Sequence, residues 1–198
     1  MLIIVGGATA SGKDAICKAI KDYGIADIPI SYTTRPMREG EVDGREYHFV
    51  DDYKFNNILY EGEFIEIRSY KVEDGSIWHY GLTKSSIGDI SKNNYIVILD
   101  YEGTRKLMSY LLLRYPLSLI KTVYIDCGVA TRIKRYLDRT RSEEEAYEMC
   151  RRVLSDKERI EAFKSEYDYV LKNETWYDLD NNIEFIENIF GGGSNDKN

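Results

Sequence analysis

A glycine-rich run near the N-terminus, Gly7-Ala8-Thr9-Ala10-Ser11-Gly12-Lys13, directly follows the short apolar segment Leu2–Val5. The stretch after the run is compatible with a helix. A strand, a glycine-rich turn and a helix in this order predict a phosphate-binding loop, because backbone N–H groups and the positive end of the helix then face an anion. Glycine lets the backbone turn tightly and approach the phosphates closely. Lys13 is expected to reach the β- and γ-phosphates of a nucleotide.

Asp14 departs from the usual form of this motif, in which Ser or Thr follows the lysine and binds Mg²⁺ through its hydroxyl. A carboxylate at this position has the chemistry to bind the ion directly or through water. An acidic side chain in the first turn of a helix also interacts favourably with the helix dipole without any metal. The sequence leaves both interpretations of Asp14 open.

Composition limits the classes of protein to be considered. A chain of 198 residues suits one α/β core with an inserted lobe, and its net charge of −7 argues against a nucleic-acid partner, since a polyanion would be repelled. Cys17, Cys127 and Cys150 are too far apart for a zinc knuckle or a redox pair, which predicts reduced thiols in a cytoplasmic protein. No apolar run has the length of a membrane span, so no membrane partner is expected.

Apolar runs rich in β-branched residues alternate with longer segments of helical pattern. The predicted strands are Leu2–Val5, Tyr95–Leu99, Leu119–Ile125 and Tyr169–Leu171. The predicted helices are Ala15–Tyr23, Gly103–Arg114, Val129–Leu137 and Glu143–Phe163. This alternation predicts an α/β fold with a parallel sheet flanked by helices. Residues 191–198, which are glycine-rich and polar, are predicted to form a flexible tail.

Residues 32–90 break this alternation, because they are rich in aromatic residues and turn signals and offer short strands at Tyr47–Val50 and Phe64–Tyr70. We expect an inserted lobe that binds a second substrate. Arg35 and Arg38, with a nearby Ser and Tyr, form a suitable set for a dianionic phosphate, since guanidinium groups bind it bidentately. Taken alone, the same composition also fits a solvated loop.

The segment from Thr33 to Phe49, TTRPMREGEVDGREYHF, resembles the nucleoside-monophosphate-binding signature of guanylate kinases, S-x-T-T-R-x-P-R-x-G-E-x-D-G-x-x-Y-x-F. Pro36 and Met37 stand where family members often have two prolines. The likeness continues through Gly62–Glu66, His79–Gly81, Val97–Gly103 and Glu166–Val170, and so covers residues 2–190. It implies a P-loop kinase with a single domain of residues 1–190. Its core would be residues 1–31 and 91–190, with an inserted nucleoside-monophosphate lobe at about 32–90 and a lid at about 132–152.

The resemblance also implies roles for individual residues in the lobe. The phosphate of GMP would be held by Ser31, Arg35, Arg38, Tyr47 and Tyr80. Glu66 would accept hydrogen bonds from the N1–H and the exocyclic amine of guanine. The chemistry agrees, because an ionised carboxylate accepts from both donors whereas the bare N1 of adenine would leave it unpaired. Strand alternation alone also fits an outward-facing charge at Glu66.

Three further positions bear on metal and base. Asp100 ends an apolar strand, where a Walker-B-type carboxylate holds Mg²⁺ directly or through its waters. Glu102 stands where family members usually have an Asp that touches the guanine amine. Leu82 stands where they normally have a Thr or Ser that donates toward the base, so this contact is lost and guanine selectivity is weakened unless Thr83 or a water replaces it.

Basic residues around the acidic stretch Ser142–Glu145 resemble the lid of the family, whose arginines close over the transferring phosphoryl group and neutralise its charge. We expect Arg139 and Arg152 to act in catalysis together with Lys13. The competing candidates are Arg135, Arg141 and Arg151. A charge run of this kind is also typical of a solvated helix face.

These expectations together describe a Mg²⁺-dependent transferase that moves the γ-phosphoryl group of ATP to GMP or dGMP, as a cytoplasmic monomer or homodimer. One alternative is a related P-loop kinase with another acceptor, such as a different nucleoside monophosphate or ribose 1,5-bisphosphate. The run Gly12-Lys13-Asp14 is familiar from ribose bisphosphate kinases. Another alternative is a non-catalytic guanylate-kinase-like interaction module, although such modules typically lose the P-loop lysine and glycines that are intact here.

Overall fold

A computed structural model of the chain describes residues 1–72, 75–138, 146–147, 150, 153 and 163–191. The α-helices that lie wholly within these residues are α1 Lys13–Asp22, α2 Asp52–Tyr60, α3 Tyr101–Leu112, α4 Val129–Leu137 and α5 Trp176–Phe190. Its strands are β1 Leu2–Gly7, β2 Tyr32–Thr33, β3 His48–Phe49, β4 Phe64–Lys71, β5 Ile77–Thr83, β6 Tyr95–Ile98, β7 Ile120–Asp126 and β8 Tyr169–Lys172. The predicted helix Glu143–Phe163 and the predicted tail lie largely outside the described residues.

Four strands form a parallel sheet in the order β6-β1-β7-β8. Alternate side chains of the central strand β1 enter apolar clusters on opposite faces of this sheet. Ile3 belongs to the cluster of Ile16 from α1 and Ile186 from α5, and Ile4 belongs to the cluster of Leu107 from α3. Because both faces are covered by helices, β1 is a continuous apolar run. The predicted parallel sheet flanked by helices is confirmed.

A second sheet has the order β3-β2-β5-β4 and is built within residues 32–83, inside the segment expected to be an inserted lobe. Strands β4 and β5 form an antiparallel hairpin in which Glu66 pairs with Leu82 and Arg68 pairs with Tyr80. The hydroxyl of Ser86 donates to the carbonyl of Ile30 at 2.8 Å, so the chain leaves the second sheet close to where it enters. The exact boundaries of the lobe stay a prediction.

The fold brings the candidate residues to one edge of the parallel sheet. The glycine-rich run follows the carboxyl end of β1, and Asp100 follows the carboxyl end of the neighbouring β6. This edge is where open α/β sheets bind their ligands. Within the part of the chain that the structure describes, no helix is both long and apolar enough to cross a membrane.

Candidate nucleotide-binding site

The glycine-rich run forms a tight turn between β1 and α1. Gly12 precedes α1 with a φ of 96°, a left-handed conformation that favours glycine. Within the turn, the backbone N–H of Ser11 donates to the carbonyl of Ala8 at 3.2 Å. The ammonium group of Lys13 donates to the same carbonyl at 3.1 Å. The first N–H groups of α1 have no partner within the helix, and the turn therefore has the geometry of an anion-binding site.

Side chains from two other elements hold this loop from outside. Asn173 Nδ2 donates to the carbonyl of Ser11 at 2.7 Å, and Arg135 Nη1 donates to it at 3.2 Å. Arg132 Nη1 donates to the carbonyl of Thr9 at 3.3 Å. Asn173 and Arg132 are almost completely buried. The two arginines of α4 therefore place positive charge beside the loop, where a bound polyphosphate would be negative.

In the second sheet, the guanidinium of Arg35 lies among aromatic rings and a carboxylate. It is 4% exposed and donates to both oxygens of Glu41, at 3.0 and 2.7 Å. The ring of Tyr47 lies 5.5 Å from this guanidinium and 5.7 Å from the ring of Tyr80. We refer to Arg35, Tyr47 and Tyr80 as the phosphate cluster. The hydrogen bond from Arg35 lowers the pKa of Glu41, so the pair is ionic at neutral pH.

Ser31 and Arg38, the other predicted phosphate ligands, flank this cluster along the chain. Ser31 is buried, and its carbonyl accepts a hydrogen bond from the backbone N–H of His48 at 2.9 Å. Arg38 is exposed, and its backbone N–H donates to Glu41 at 2.7 Å. Glu41 therefore fixes the turn between Arg35 and Arg38 and leaves the Arg38 guanidinium accessible to an anion.

Glu66 on β4 is 2% exposed, so the alternative of an outward-facing charge is wrong. Both of its carboxylate oxygens accept hydrogen bonds from Arg68: Nε to Oε2 at 3.1 Å and Nη2 to Oε1 at 3.2 Å. Burial raises the pKa of Glu66, and the positive charge of Arg68 opposes this increase. Arg68 thus keeps a buried acidic group paired.

Asp100 lies at the start of α3 as its N-cap. Its Oδ1 accepts from the backbone N–H of Gly103 at 2.8 Å, and its Oδ2 accepts from the hydroxyl of Tyr70 at 3.0 Å. Burial of Tyr70 raises its pKa to about 12, and the negative charge of Asp100 and the hydrogen bond between the two side chains add to the increase. Asp100 itself is exposed, as is Glu102 in the first turn of α3. Tyr70 thus joins the second sheet to the metal-binding candidate.

Leu82 is fully buried in the same apolar cluster as Leu99 and Leu107. It lies opposite Glu66 in the β4–β5 register, so an apolar side chain lies beside Glu66 on the same face of the hairpin. Thr83 lies on the opposite face of β5, where its hydroxyl is 2.8 Å from that of Ser86. The suggestion that Thr83 replaces the hydroxyl missing at Leu82 is therefore wrong.

Weak electrostatic interactions connect these groups across the two sheets. Burial raises the pKa of Tyr47, and the negative charge of Asp14 adds to the increase. The charge of Asp100 likewise adds to the raised pKa of Glu66. The carboxylates of Asp14 and Asp100 therefore lie close enough to Tyr47 and to Glu66, respectively, to act on them electrostatically. Four predicted lid residues lie outside the described residues: Arg139, Arg141, Arg151 and Arg152.

Comparison with known proteins decides the family. A family model described as guanylate kinase matches residues 1–191. The chain belongs to the guanylate kinase family. A guanylate kinase of Alkalilimnicola ehrlichii is 29% identical over 192 residues, covering 96% of this chain and 87% of the relative. One of Vibrio parahaemolyticus is 29% identical over 178 residues, covering 87% of this chain and 80% of the relative.

A solved structure supports the fold of this guanylate kinase family member. The crystal structure of guanylate kinase from Anaplasma phagocytophilum matches with a TM-score of 0.61 at 23% identity. The match covers 96% of this chain and 84% of that chain. The family and fold predicted from the motifs are both confirmed.

Three polar residues that hold the site together were absent from the sequence-based set of ligands: Glu41, Arg68 and Asn173. Arg68 had a usable signal, since residues two apart on a strand lie on the same face and Arg68 follows Glu66 by two. Asn173 had none, because its hydrogen bond to Ser11 joins residues 162 apart in the sequence. The family resemblance therefore predicts ligands, whereas these three supporting contacts come from the structure.

Proposed function

We propose that this guanylate kinase family member transfers the γ-phosphoryl group of ATP to GMP, giving ADP and GDP. The observation that carries this proposal is the buried Glu66 carboxylate on β4, which pairs with β5, the strand that carries Tyr80 of the phosphate cluster. Guanine presents two adjacent N–H donors, and a buried ionised carboxylate is an acceptor-only group that pairs with both. dGMP is included because the proposed ligands contact phosphate and base rather than the ribose.

On the donor side, the proposed ATP ligands are the backbone groups of Gly7–Asp14 and the ammonium group of Lys13. Phosphoryl transfer requires positioning and charge stabilisation more than covalent chemistry from the protein. Lys13 supplies positive charge directly in the loop, and Arg132 and Arg135 hold the carbonyls on its other side. Arg139 and Arg152 remain the proposed lid residues that neutralise the transition state.

On the acceptor side, the phosphate cluster with Ser31 and Arg38 is proposed to bind the phosphate of GMP. The hydroxyls and guanidinium groups offer donors that suit a dianion. Arg35 donates to both carboxylate oxygens of Glu41 and to the carbonyl of Pro36, so its remaining N–H groups are the ones proposed to bind the phosphate. Glu102, exposed at the start of α3, is proposed as a second contact to the guanine amine.

Mg²⁺ is the proposed metal, and the donor set fits it. Among the described residues no group of three or more His, Cys, Asp and Glu side chains forms a metal cage. Mg²⁺ usually keeps several waters and binds one or two carboxylates together with substrate phosphates. Asp100 and Asp14 are exposed carboxylates at the sheet edge and would hold it directly or through water. When bound, the ion supplies positive charge to the phosphates.

The alternatives identified above are less favourable on the same observations. Ribose 1,5-bisphosphate has no base to pair with the buried carboxylate of Glu66. The P-loop lysine and glycines of a catalytic kinase are present, and Lys13 lies in the loop. The cytoplasm, where ATP and nucleoside monophosphates meet, is the proposed location, and a monomer or homodimer is the proposed state.

A coupled assay of ADP release tests the function, with GMP, dGMP, AMP, UMP and ribose 1,5-bisphosphate as acceptors. We expect GMP to give the highest kcat/KM and AMP a value at least about 100-fold lower, because a polar site left unpaired rejects the wrong base strongly. Glu66→Gln should reduce the preference for GMP over AMP, whereas Glu61→Gln at the exposed end of α2 should leave it unchanged. A higher kcat/KM for AMP, UMP or ribose 1,5-bisphosphate would refute the proposal.

A further inference from the structure

A guanine base bound through Glu66 presents two further acceptors along one edge, O6 and N7. Both lie on adjacent positions of the base and pair with hydrogen-bond donors. Leu82, which lies opposite Glu66, is apolar and fully buried, and the hydroxyl of Thr83 lies on the other face of the strand. With Leu82 and Thr83 excluded, the donors for O6 and N7 are a water or another residue near Glu66.

Building on the proposed function, we propose that Arg68 is a specificity-determining residue that donates hydrogen bonds to O6 and N7 of guanine. Arg68 follows Glu66 by two positions on β4, so the two side chains lie on one face of the strand. Its side chain is 17% exposed and already contacts both oxygens of Glu66. A base that reaches Glu66 therefore meets the Arg68 fork at the same place.

The chemistry of the fork matches this role. A guanidinium presents parallel N–H donors at the spacing of guanine O6 and N7, and this pairing is the commonest specific contact of arginine with a base. Lysine also contacts this edge of guanine, but as a rotatable point charge without the fixed planar fork, so it fixes the base less strictly. Arg68 pairs across the hairpin with Tyr80, which belongs to the phosphate cluster. On its own strand Arg68 is two positions from Glu66, so it neighbours both the proposed base ligand and a proposed phosphate ligand.

Base binding would exchange hydrogen bonds at the Glu66–Arg68 pair. The N1–H and amine of guanine take over the carboxylate edge that Arg68 occupies, and the fork turns to O6 and N7. Two hydrogen bonds are given up and four are formed. Neither buried charge is unpaired before or after the exchange, which avoids the cost of an isolated buried ion.

The same exchange fails with adenine. Adenine has a bare N1 facing the acceptor Glu66, and its 6-amino group is a donor where guanine has the acceptor O6. The amino group would therefore face the N–H groups of Arg68. Glu66 and Arg68 thus reject AMP independently, one at N1 and the other at position 6, which compensates for the hydroxyl missing at Leu82.

Equilibrium binding measured by calorimetry separates this role from a purely supporting one, and it requires no ATP. GMP, 7-deaza-GMP, which lacks the N7 acceptor, and IMP, which lacks the 2-amino group, are titrated into the unmodified protein and into Arg68→Met. We expect the unmodified protein to bind GMP roughly 5- to 150-fold more tightly than 7-deaza-GMP. In Arg68→Met this ratio should fall to about twofold or less, while the ratio of GMP to IMP is largely kept.

Two variants control the comparison. Lys71→Met removes a positive charge from the same strand on the opposite face and should leave every ratio unchanged. Arg68→Lys keeps the charge beside Glu66 but replaces the fork by a single ammonium group, so it should reduce the 7-deaza discrimination even if Arg68→Met fails to fold.

An unchanged ratio of GMP to 7-deaza-GMP in Arg68→Lys, or in a folded Arg68→Met, would overturn the proposal. A change confined to the ratio of GMP to IMP would also overturn it, because Arg68 would then act only by holding Glu66. Failure of the proposed function itself is seen in the unmodified protein alone, as a preference for AMP, UMP or ribose 1,5-bisphosphate in the ADP-release assay.

Discussion

Replacing Gly12 by alanine tests how firmly the nucleotide loop is held from outside. Gly12 has a φ of 96°, and a left-handed conformation costs an L-residue roughly 1–2 kcal/mol. The added Cβ would also overlap the side-chain amide of Asn173. This amide is almost fully buried and cannot retreat without losing its hydrogen bond to Ser11, worth about 0.5–1.5 kcal/mol. We expect a total loss of roughly 1.5–3.5 kcal/mol, or about 3–14 °C in melting temperature.

Gly24→Ala is the matched control for backbone strain. Gly24 has a φ of 70°, and among the described residues no heavy atom lies within 4 Å of its added Cβ. This variant should lose only the strain energy of roughly 1–2 kcal/mol. The excess cost of Gly12→Ala over Gly24→Ala, about 0.5–1.5 kcal/mol, then measures the overlap with Asn173. In an Asn173→Ala background the excess should vanish, because the group that is overlapped is gone.

Urea unfolding of the four variants and the unmodified protein gives these free energies, provided that all share one m-value. ATP titration adds a functional readout, since Gly12→Ala should weaken ATP binding and leave GMP binding nearly unchanged. Equal costs of Gly12→Ala and Gly24→Ala would refute the reasoning. So would an excess that persists after Asn173 is truncated, because the strain would then arise elsewhere in the loop.

Three other perturbations address the two substrates and pH. Lys13→Ala should abolish phosphoryl transfer and keep GMP affinity, as shown by the ADP-release assay and calorimetry, and turnover near that of the unmodified protein would contradict its assignment. Arg38→Ala should weaken GMP by roughly 10- to 150-fold and ATP little, from a charge-assisted contact of about 1.5–3 kcal/mol, whereas equal weakening of both would indicate misfolding. Because Arg35 lowers the pKa of Glu41, the stability from this pair is complete above the unfolded pKa of about 4.3 and is lost as pH falls through the lower folded pKa. The melting-temperature difference between the unmodified protein and Glu41→Gln should therefore narrow from pH 6 to pH 3.5, and a constant difference would argue against an ionic role for Glu41.

Local patterns made the core of the fold predictable from the sequence. The strand β1, the glycine-rich turn and α1 are contiguous, so their order and periodicity indicated them directly. The parallel sheet followed from alternation of apolar runs and helices. The burial of Glu66 was harder to predict, because strand alternation gives two faces but does not say which is covered. The family resemblance implied a contact between Glu66 and the base, and the structure shows that the Glu66 side chain is buried.

Contacts between distant parts of the chain could not be predicted in this way. Arg135 was expected in the lid, yet its guanidinium contacts the carbonyl of Ser11 in the nucleotide loop. Asn173 reaches the same carbonyl from the end of β8. Thr83 was considered as a donor toward the base, but a strand alternates its side chains and Thr83 follows the inward-facing Leu82 by one position. The contacts of Arg135 and Asn173 depend on packing between elements, for which a single sequence has no periodic signal, whereas strand alternation already argued against Thr83.

The place of β1 in the sheet constrains the order in which the protein can fold. β1 precedes both of its neighbours in the chain, since Leu2 pairs with Tyr95 and with Ile120, so about half of the chain must be made before even the first of them exists. Such long loops slow folding, because the entropy of closure must be lost before the contacts form. The hydrogen bond between Ser86 and Ile30 holds the ends of the intervening segment together. If the second sheet forms first, it shortens the loop that remains to be closed, so this sheet would also assist the assembly of the core.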